Sequence, residues 1–118
     1  MTAREQAMEG LGALRATEPQ AITALNQGLS DPVAAVRQAA THALGRISWQ
    51  AEAAVPALIL CLRDDSQQVR EASARTLGKI GVRAKSAVPE LKRLISDTDE
   101  NVRVAANEAV AKIESEAR

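Results

Sequence analysis

The sequence contains no phenylalanine and no tyrosine, and its only aromatic residue is Trp49. A core built on large aromatic side chains is therefore excluded. One cysteine, Cys61, cannot close an internal disulfide. One histidine, His42, has no second histidine to share a metal with. No apolar run approaches the roughly 20 residues that a bilayer-spanning helix needs. The opening Met-Thr-Ala-Arg-Glu-Gln lacks the apolar segment of a signal peptide. Fifteen basic and fifteen acidic residues cancel, so the basic excess usual in a nucleic-acid binder is missing. Together these absences favour a cytoplasmic protein with no cofactor.

What is present is alanine, with Leu, Ile and Val, in a repeating order. Alanine has the highest helix propensity and lets helices approach closely. Asp64-Asp65-Ser66-Gln67-Gln68-Val69-Arg70, followed by Ala72, Leu77, Gly78 and Ile80, recurs at an offset of 33 residues in both directions. The upstream copy is Asp31, Val36, Arg37, Ala39, Leu44, Gly45 and Ile47; the downstream copy is Asp97, Val102, Arg103, Ala105, Val110 and Ile113. Residues 37–69 and 70–102 share 12 identities in 33, which marks a duplicated unit.

Each unit reads as a helix pair. The chain opens on a half unit (1–16), since Arg4 aligns with Arg37 and Leu11-Gly12 with Leu44-Gly45. Its polar Gln6 replaces the small apolar Ala39 and Ala72, as suits a terminal helix with one face in water. Repeat 1 (17–49) starts with an outer helix over 17–29, capped by Thr17, with Ile22, Leu25 and Leu29 on one face. An inner helix follows from about Pro32 to Ile47. Repeat 2 (50–82) has an outer helix from about Glu52, with Pro56 in its first turn, and an inner helix from about Asp65 to Ile80. Repeat 3 (83–118) has Ser86 as the expected cap of an outer helix carrying Val88, Leu91, Leu94 and Ile95. Its inner helix runs from about Asp99 to Ile113, and a polar tail follows. The expected fold is all-α: a single domain, 1–118, forming a right-handed α-solenoid of about three and a half helix-pair repeats, seven helices in all.

The pattern D-x4-V-R-x-A-x4-L-G-x-I followed by A-V-P-x-L resembles the HEAT repeat, in the class found in phycobilisome-lyase-type proteins. Asp31/Asp64/Asp97, Val36/Val69/Val102, Arg37/Arg70/Arg103, Leu44-Gly45 and Leu77-Gly78, and Val55-Pro56 and Val88-Pro89 carry it. The resemblance implies first helices on a convex side and second helices lining a concave side. It also implies that the repeated Asp and Arg form a structural ladder between adjacent turns. Charge-assisted, bidentate bonds there would fix the angle between repeats. Arg4, with no preceding Asp, and Ala111, in place of the glycine, depart from the pattern at the ends.

Candidate sites weigh differently. The strict tripling of Asp31/Arg37, Asp64/Arg70 and Asp97/Arg103 suits a ladder better than catalysis. His42 lacks the partners for acid–base or metal work, and its row mates Glu9, Arg75 and Glu108 suggest a solvated face. Cys61 reads as a buried, inert thiol. Trp49, between repeats, is the candidate hot spot, although its mostly small or apolar row mates favour packing between adjacent loops. No catalytic residue and no metal ligand stands out, so the chain is not expected to be an enzyme.

The inner-helix positions that vary between copies are the expected partner-binding face: Gln38, Thr41, His42, Arg46, Glu71, Arg75, Lys79, Asn107 and Glu108. A binding face varied on a constant scaffold would look this way. The expected function is a non-catalytic protein–protein interaction scaffold, its partner a protein met on the concave side. One alternative is a phycobilisome-lyase-like accessory subunit handling a tetrapyrrole. Another is a nucleic-acid or phosphate binder using the basic cluster at 75–85, disfavoured by the absence of a stacking aromatic nearby. A monomer is expected, with end-to-end association through apolar Val104 and Val110 as the alternative.

Overall fold

The computed structural model describes residues 3–13 and 19–118, with the side chains of 3–9, 21–47 and 51–118. The expected cap Thr17 lies outside the described residues. All the regular structure described is helical. Helices α1 (Ala3–Ala13), α2 (Pro19–Gly28) and α3 (Ala34–Ile47) lead into a 3₁₀ segment, Ser48–Ala54. Then come α4 (Val55–Cys61), α5 (Gln67–Ile80), a second 3₁₀ segment (Gly81–Ala87), α6 (Val88–Leu94) and α7 (Glu100–Glu116).

The inner helices α1, α3, α5 and α7 stack in chain order, each against the next. The outer helices α2, α4 and α6 pair with α3, α5 and α7. A continuous core runs between the two layers. Leu25, Leu44, Leu58, Leu62, Leu77, Leu91 and Leu94 are fully buried there, with Val36, Val69 and Val102 at the start of each inner helix. Alanines fill the space between helices: Ala40, Ala74 and Ala106 are inaccessible to water.

Glycine permits the closest approach. A Cβ on Gly78 would stand 3.1 Å from the Ala109 Cα, so α5 and α7 meet there nearly backbone to backbone. Gly28, in the row otherwise held by Cys61 and Leu94, leaves room for the Met8 sulfur. A Cβ at Gly28 would come within 2.6 Å of it.

Helices α3, α5 and α7 each begin on an Asp-led turn. The Oδ1 atoms of Asp31, Asp64 and Asp97 accept from the amides of Val33, Ser66 and Asp99, each at 2.9 Å. Ser66 and Asp99 then cap α5 and α7 by accepting from Val69 and Val102. These bonds occupy amides that would otherwise be orphaned at a helix start.

Three sequence expectations are corrected. The outer helices of repeats 2 and 3 do not start as α-helix near Glu52 and Ser86. The chain instead winds through the 3₁₀ segments, with breaks at Ala51 and Ala84, one repeat apart. Pro56 and Pro89 explain the restart at Val55 and Val88, because a proline ring inside an α-helix clashes with the carbonyl four residues earlier. Ser86 is accordingly no cap: α6 is preceded by Ala87, with no side-chain cap bond. The C-terminal residues continue α7 to Glu116. The Glu116 carboxylate accepts from the Val82 amide at 3.1 Å, beside Gly81, whose φ of 77° suits glycine. Val110, read as an apolar end residue, is buried, whereas Val104 is 43% exposed.

Candidate functional site

The Asp and Arg rows meet across the repeats. Arg37 donates from Nε and Nη2 to both carboxylate oxygens of Asp64, at 2.7 and 3.0 Å. Its Nη1 turns back to the Asp31 and Pro32 carbonyls at 2.8 and 3.0 Å. Arg70 repeats the arrangement with Asp97, and with the Asp64 and Asp65 carbonyls. Arg4 reaches Asp31 at 2.8 Å, and Arg103 reaches the Asp97 carbonyl at 2.8 Å. Arg37 and Arg70 thus each brace their own turn with one nitrogen and hold the next repeat with two. The central pairs are mostly shielded from water, whereas the Arg4 side chain is 56% exposed. The Asp64 carboxylate raises the Arg37 pKa, chiefly by accepting its hydrogen bonds.

Seven of the nine candidate binding residues, with Val104 and Lys112, fall on one stripe at i, i+4 and i+8 of successive inner helices. It reads Gln38, His42, Arg46 on α3, then Glu71, Arg75, Lys79 on α5, then Val104, Glu108, Lys112 on α7. Gln38 and Glu71 are half-buried and the other seven are exposed. Two grooves separate the helices. The α5–α7 groove, about 190 Å³, has Gly78, Ala105 and Ala109 on its floor and Arg75, Lys79, Glu108 and Lys112 on its walls. The α3–α5 groove, about 100 Å³, brings Gln38, His42, Glu71 and Arg75 together with Gln68 and Ala72.

Arg75 ties the stripe together. It pairs with Glu71 at 3.1 Å on its own helix and with Glu108 at 3.5 Å on the next. His42 stands in a positive field. Burial beside the groove walls lowers its pKa, and the Lys79 and Arg46 charges lower it further, against Glu71 and Glu9.

Thr41 is a correction. It is fully buried between α3 and α5: its hydroxyl donates to the Gln38 carbonyl at 2.7 Å, and its carbonyl accepts from Thr76 at 2.8 Å. The row Thr41, Ala74, Asn107 faces the following inner helix rather than water. Asn107 is exposed because α7 ends the described stack, so it looks off the end and not into a groove. The Trp49 side chain lies outside the described residues. Cys61 is buried, with its thiol 3.7 Å from the Leu29 carbonyl. Lys112, Gln68 and the small groove-floor residues were missed in the sequence. Lys112 had a signal, since it shares a row with Arg46 and Lys79.

The basic cluster is divided, with Arg75 and Lys79 on the stripe and Arg83 turned to Glu52. Arg70 belongs to the ladder and Arg75 to the stripe. Arg83 pairs with Glu52, Lys92 with Glu114 and Arg93 with Glu90. A wider recess of about 570 Å³ lies along the turn ridge, but the charged groups that line it, such as Arg63, Arg70 and Asp97, are bonded to protein groups. Among the described residues no group of three or more His, Cys, Asp or Glu could hold a metal ion, and no helix is long and apolar enough to cross a membrane.

A family model described as HEAT repeats matches residues 2–77 and 55–118. The chain is a HEAT-repeat protein. Among solved structures, an engineered protein is similar over 94% of this chain and 56% of its own, at 24% identity and a TM-score of 0.73. The complex of CpcE and CpcF of phycocyanin lyase from Nostoc sp. PCC7120 matches 86% of this HEAT-repeat chain and 68% of that chain, at 22% identity and a TM-score of 0.72. A designed armadillo repeat protein in complex with the peptide (KR)4 matches 80% of this chain and 47% of that one, at 20% identity and a TM-score of 0.71. The chain therefore spans about half the length of the engineered and designed proteins it resembles. No curated protein sequence matches it.

Proposed function

We propose that this HEAT-repeat domain is a non-catalytic scaffold that binds a protein partner on its inner-helix face. The carrying observation is the stripe. Two of its rows, Gln38/Glu71/Val104 and His42/Arg75/Glu108, change character from repeat to repeat, while neighbouring rows such as Ala39/Ala72/Ala105 and Leu44/Leu77/Val110 are buried and nearly constant. The ladder and the leucine–alanine core hold the inner helices in place, so a partner meets a preorganised surface and little ordering entropy is lost on binding. Two structural neighbours are complexes, a designed armadillo repeat protein with a peptide and CpcE with CpcF, and partner binding by similar folds supports the reading. The inner-face grooves are smaller than the roughly 300–1,000 Å³ that encloses a small ligand. They suit individual side chains of a partner and give no support to tetrapyrrole handling on this face.

A photo-crosslinking residue placed at Gln38 or Lys112 tests the reading against one placed at the exposed outer-helix residue Leu60. Capture of the same protein from the inner positions and not from Leu60 is the expected result. Equal capture from Leu60, or none from the inner positions, would sink it.

A further inference from the structure

The equivalent positions Arg46, Lys79 and Lys112 form a line of cations running across the inner helices, one per repeat. The first two lean back over the preceding helix. The Arg46 Nη1 lies 3.5 Å from the Glu9 carbonyl of α1, and the Lys79 ammonium lies over Gly45 of α3, 3.5 Å from where a Cβ would be. Lys112 lines the α5–α7 groove together with Lys79. Lys79 and Lys112 thus flank one groove, and Arg46 continues their row onto α3.

The charge of the stripe points the same way. The carboxylates of the inner face (Glu5, Glu9, Glu71 and Glu108) lie in the two neighbouring rows, where Arg75 pairs with Glu71 and Glu108. The row of Arg46, Lys79 and Lys112 itself carries only cations, so this edge of the face is positive on a chain whose formal charge is zero. The His42 pKa is lowered first by burial, and the Lys79 and Arg46 charges then act on it more strongly than those of Glu71 and Glu9.

We infer that the partner segment on this face is an extended acidic peptide, with a carboxylate at every third residue to meet the Arg46–Lys79–Lys112 line. The inference rests on the scaffold reading above and narrows it. Packed helix axes lie about 8–10 Å apart, which sets the spacing of the cations. A polyproline-type segment has three residues per turn and rises about 3.1 Å per residue. Carboxylates at every third position therefore share one edge and recur at about 9 Å. Between them, short side chains meet the small floor of Gly78, Ala105 and Ala109. Complementary charge of this kind selects partners and speeds encounter.

The test is fluorescence anisotropy with a labelled peptide of repeated Asp-Ser-Pro triplets, against three competitors. These are a peptide of the same composition with its Asp residues clustered, a Lys-Ser-Pro peptide and oligodeoxythymidine. The triplet peptide is expected to bind, to weaken as salt is raised, and to lose at least about tenfold in affinity in the Lys79→Glu/Lys112→Glu variant. Circular dichroism and the thermal midpoint of that variant guard against misfolding. Lys79→Gln/Lys112→Gln supplies a milder second variant and should give an intermediate loss. Equal binding of the clustered or the lysine peptide overturns the inference, as does tighter binding of the oligonucleotide through the same lysines. If the triplet peptide fails while crosslinking from Gln38 still captures a protein, the acidic class is wrong and the scaffold reading stands.

Discussion

Arg70 holds Asp97 by both carboxylate oxygens, at 3.1 and 3.2 Å, while its third terminal contact, from Nη1, reaches back 2.8 Å to the carbonyl of Asp64. One side chain therefore joins two consecutive turns. Arg37 does the same one repeat earlier, with Asp64 as its acceptor. The ladder sets the stacking of repeats 1 to 3 without contributing any group to the inner face.

The first prediction follows from the contrast with Arg4. Truncating Arg70 leaves the half-buried Asp97 carboxylate without its partner, so Arg70→Ala should cost about 2–4 kcal/mol in urea unfolding. Arg4→Ala removes a pair whose arginine is mostly in water, and should cost less than about 1 kcal/mol. Arg70→Lys should recover little, because an ammonium cannot reproduce the forked contact. Similar losses at Arg4 and Arg70 would contradict the graded burial of the rungs.

The second concerns glycine. Gly78→Ala gains about 1 kcal/mol of helix propensity. Its Cβ, however, meets the backbone of Ala109 at 3.1 Å, and backbone cannot turn aside. A net loss of about 1–3 kcal/mol is expected, as for overpacking elsewhere. The Gly45 neighbours are the Thr76 hydroxyl at 3.3 Å and the flexible end of Lys79, so Gly45→Ala should stay within about 1 kcal/mol of wild type. Paired chemical denaturation curves decide this. A stabilised Gly78→Ala would mean that α5 and α7 can separate at little cost.

The sequence carried the repeat, the helix pairing and the Asp–Arg rungs because all three recur at a fixed offset. It did not carry direction within the inner helix. Thr41 and His42 are adjacent and both polar, yet one is sealed between helices and the other faces water. What separates them is that Thr41 and Thr76 bond to backbone carbonyls, which satisfies their hydroxyls in a buried place. The 3₁₀ segments were equally hidden, since Ala51–Ala54 has the composition of a helix and only Pro56 hints at the restart. Groove-floor residues such as Ala105 and Ala109 look like any other core alanines until the neighbouring helix is in place.

The third prediction is a pH dependence centred on Asp97. Burial pushes its carboxyl up, but the Asp99 amide and the Arg70 guanidinium outweigh that and hold the pKa below its ordinary value. The folded state therefore binds its proton later than the unfolded chain. The associated stability is fully present above the unfolded carboxyl pKa of about 3.9 and is lost as pH falls through the folded value. Asp97→Asn should lower the urea midpoint at neutral pH and flatten its fall below about pH 4. Glu90 is also lowered, first by its hydrogen bond from Arg63 and then by Arg93. Its partners are in water, so Glu90→Gln should change the acid limb far less. An unchanged acid limb in Asp97→Asn would remove Asp97 from the linkage.

The fourth uses Cys61 as a reporter. Its side chain is buried between α4 and α2, and burial first, then the Asp64 carboxylate, pushes the thiol pKa up. The thiolate is the reactive form, so both access and ionisation are denied in the folded state. Modification by a chromogenic thiol reagent should require opening of the first two repeats. If that opening costs about 4 kcal/mol, the native rate falls on the order of a thousandfold below that of the unfolded chain. The rate should climb with urea along the unfolding transition, and it should rise in Arg37→Ala, which frees the Asp64 turn that follows α4. A fast reaction indifferent to urea would mean that the α2–α4 contact opens on its own, and the ladder variant would then leave the rate where it was.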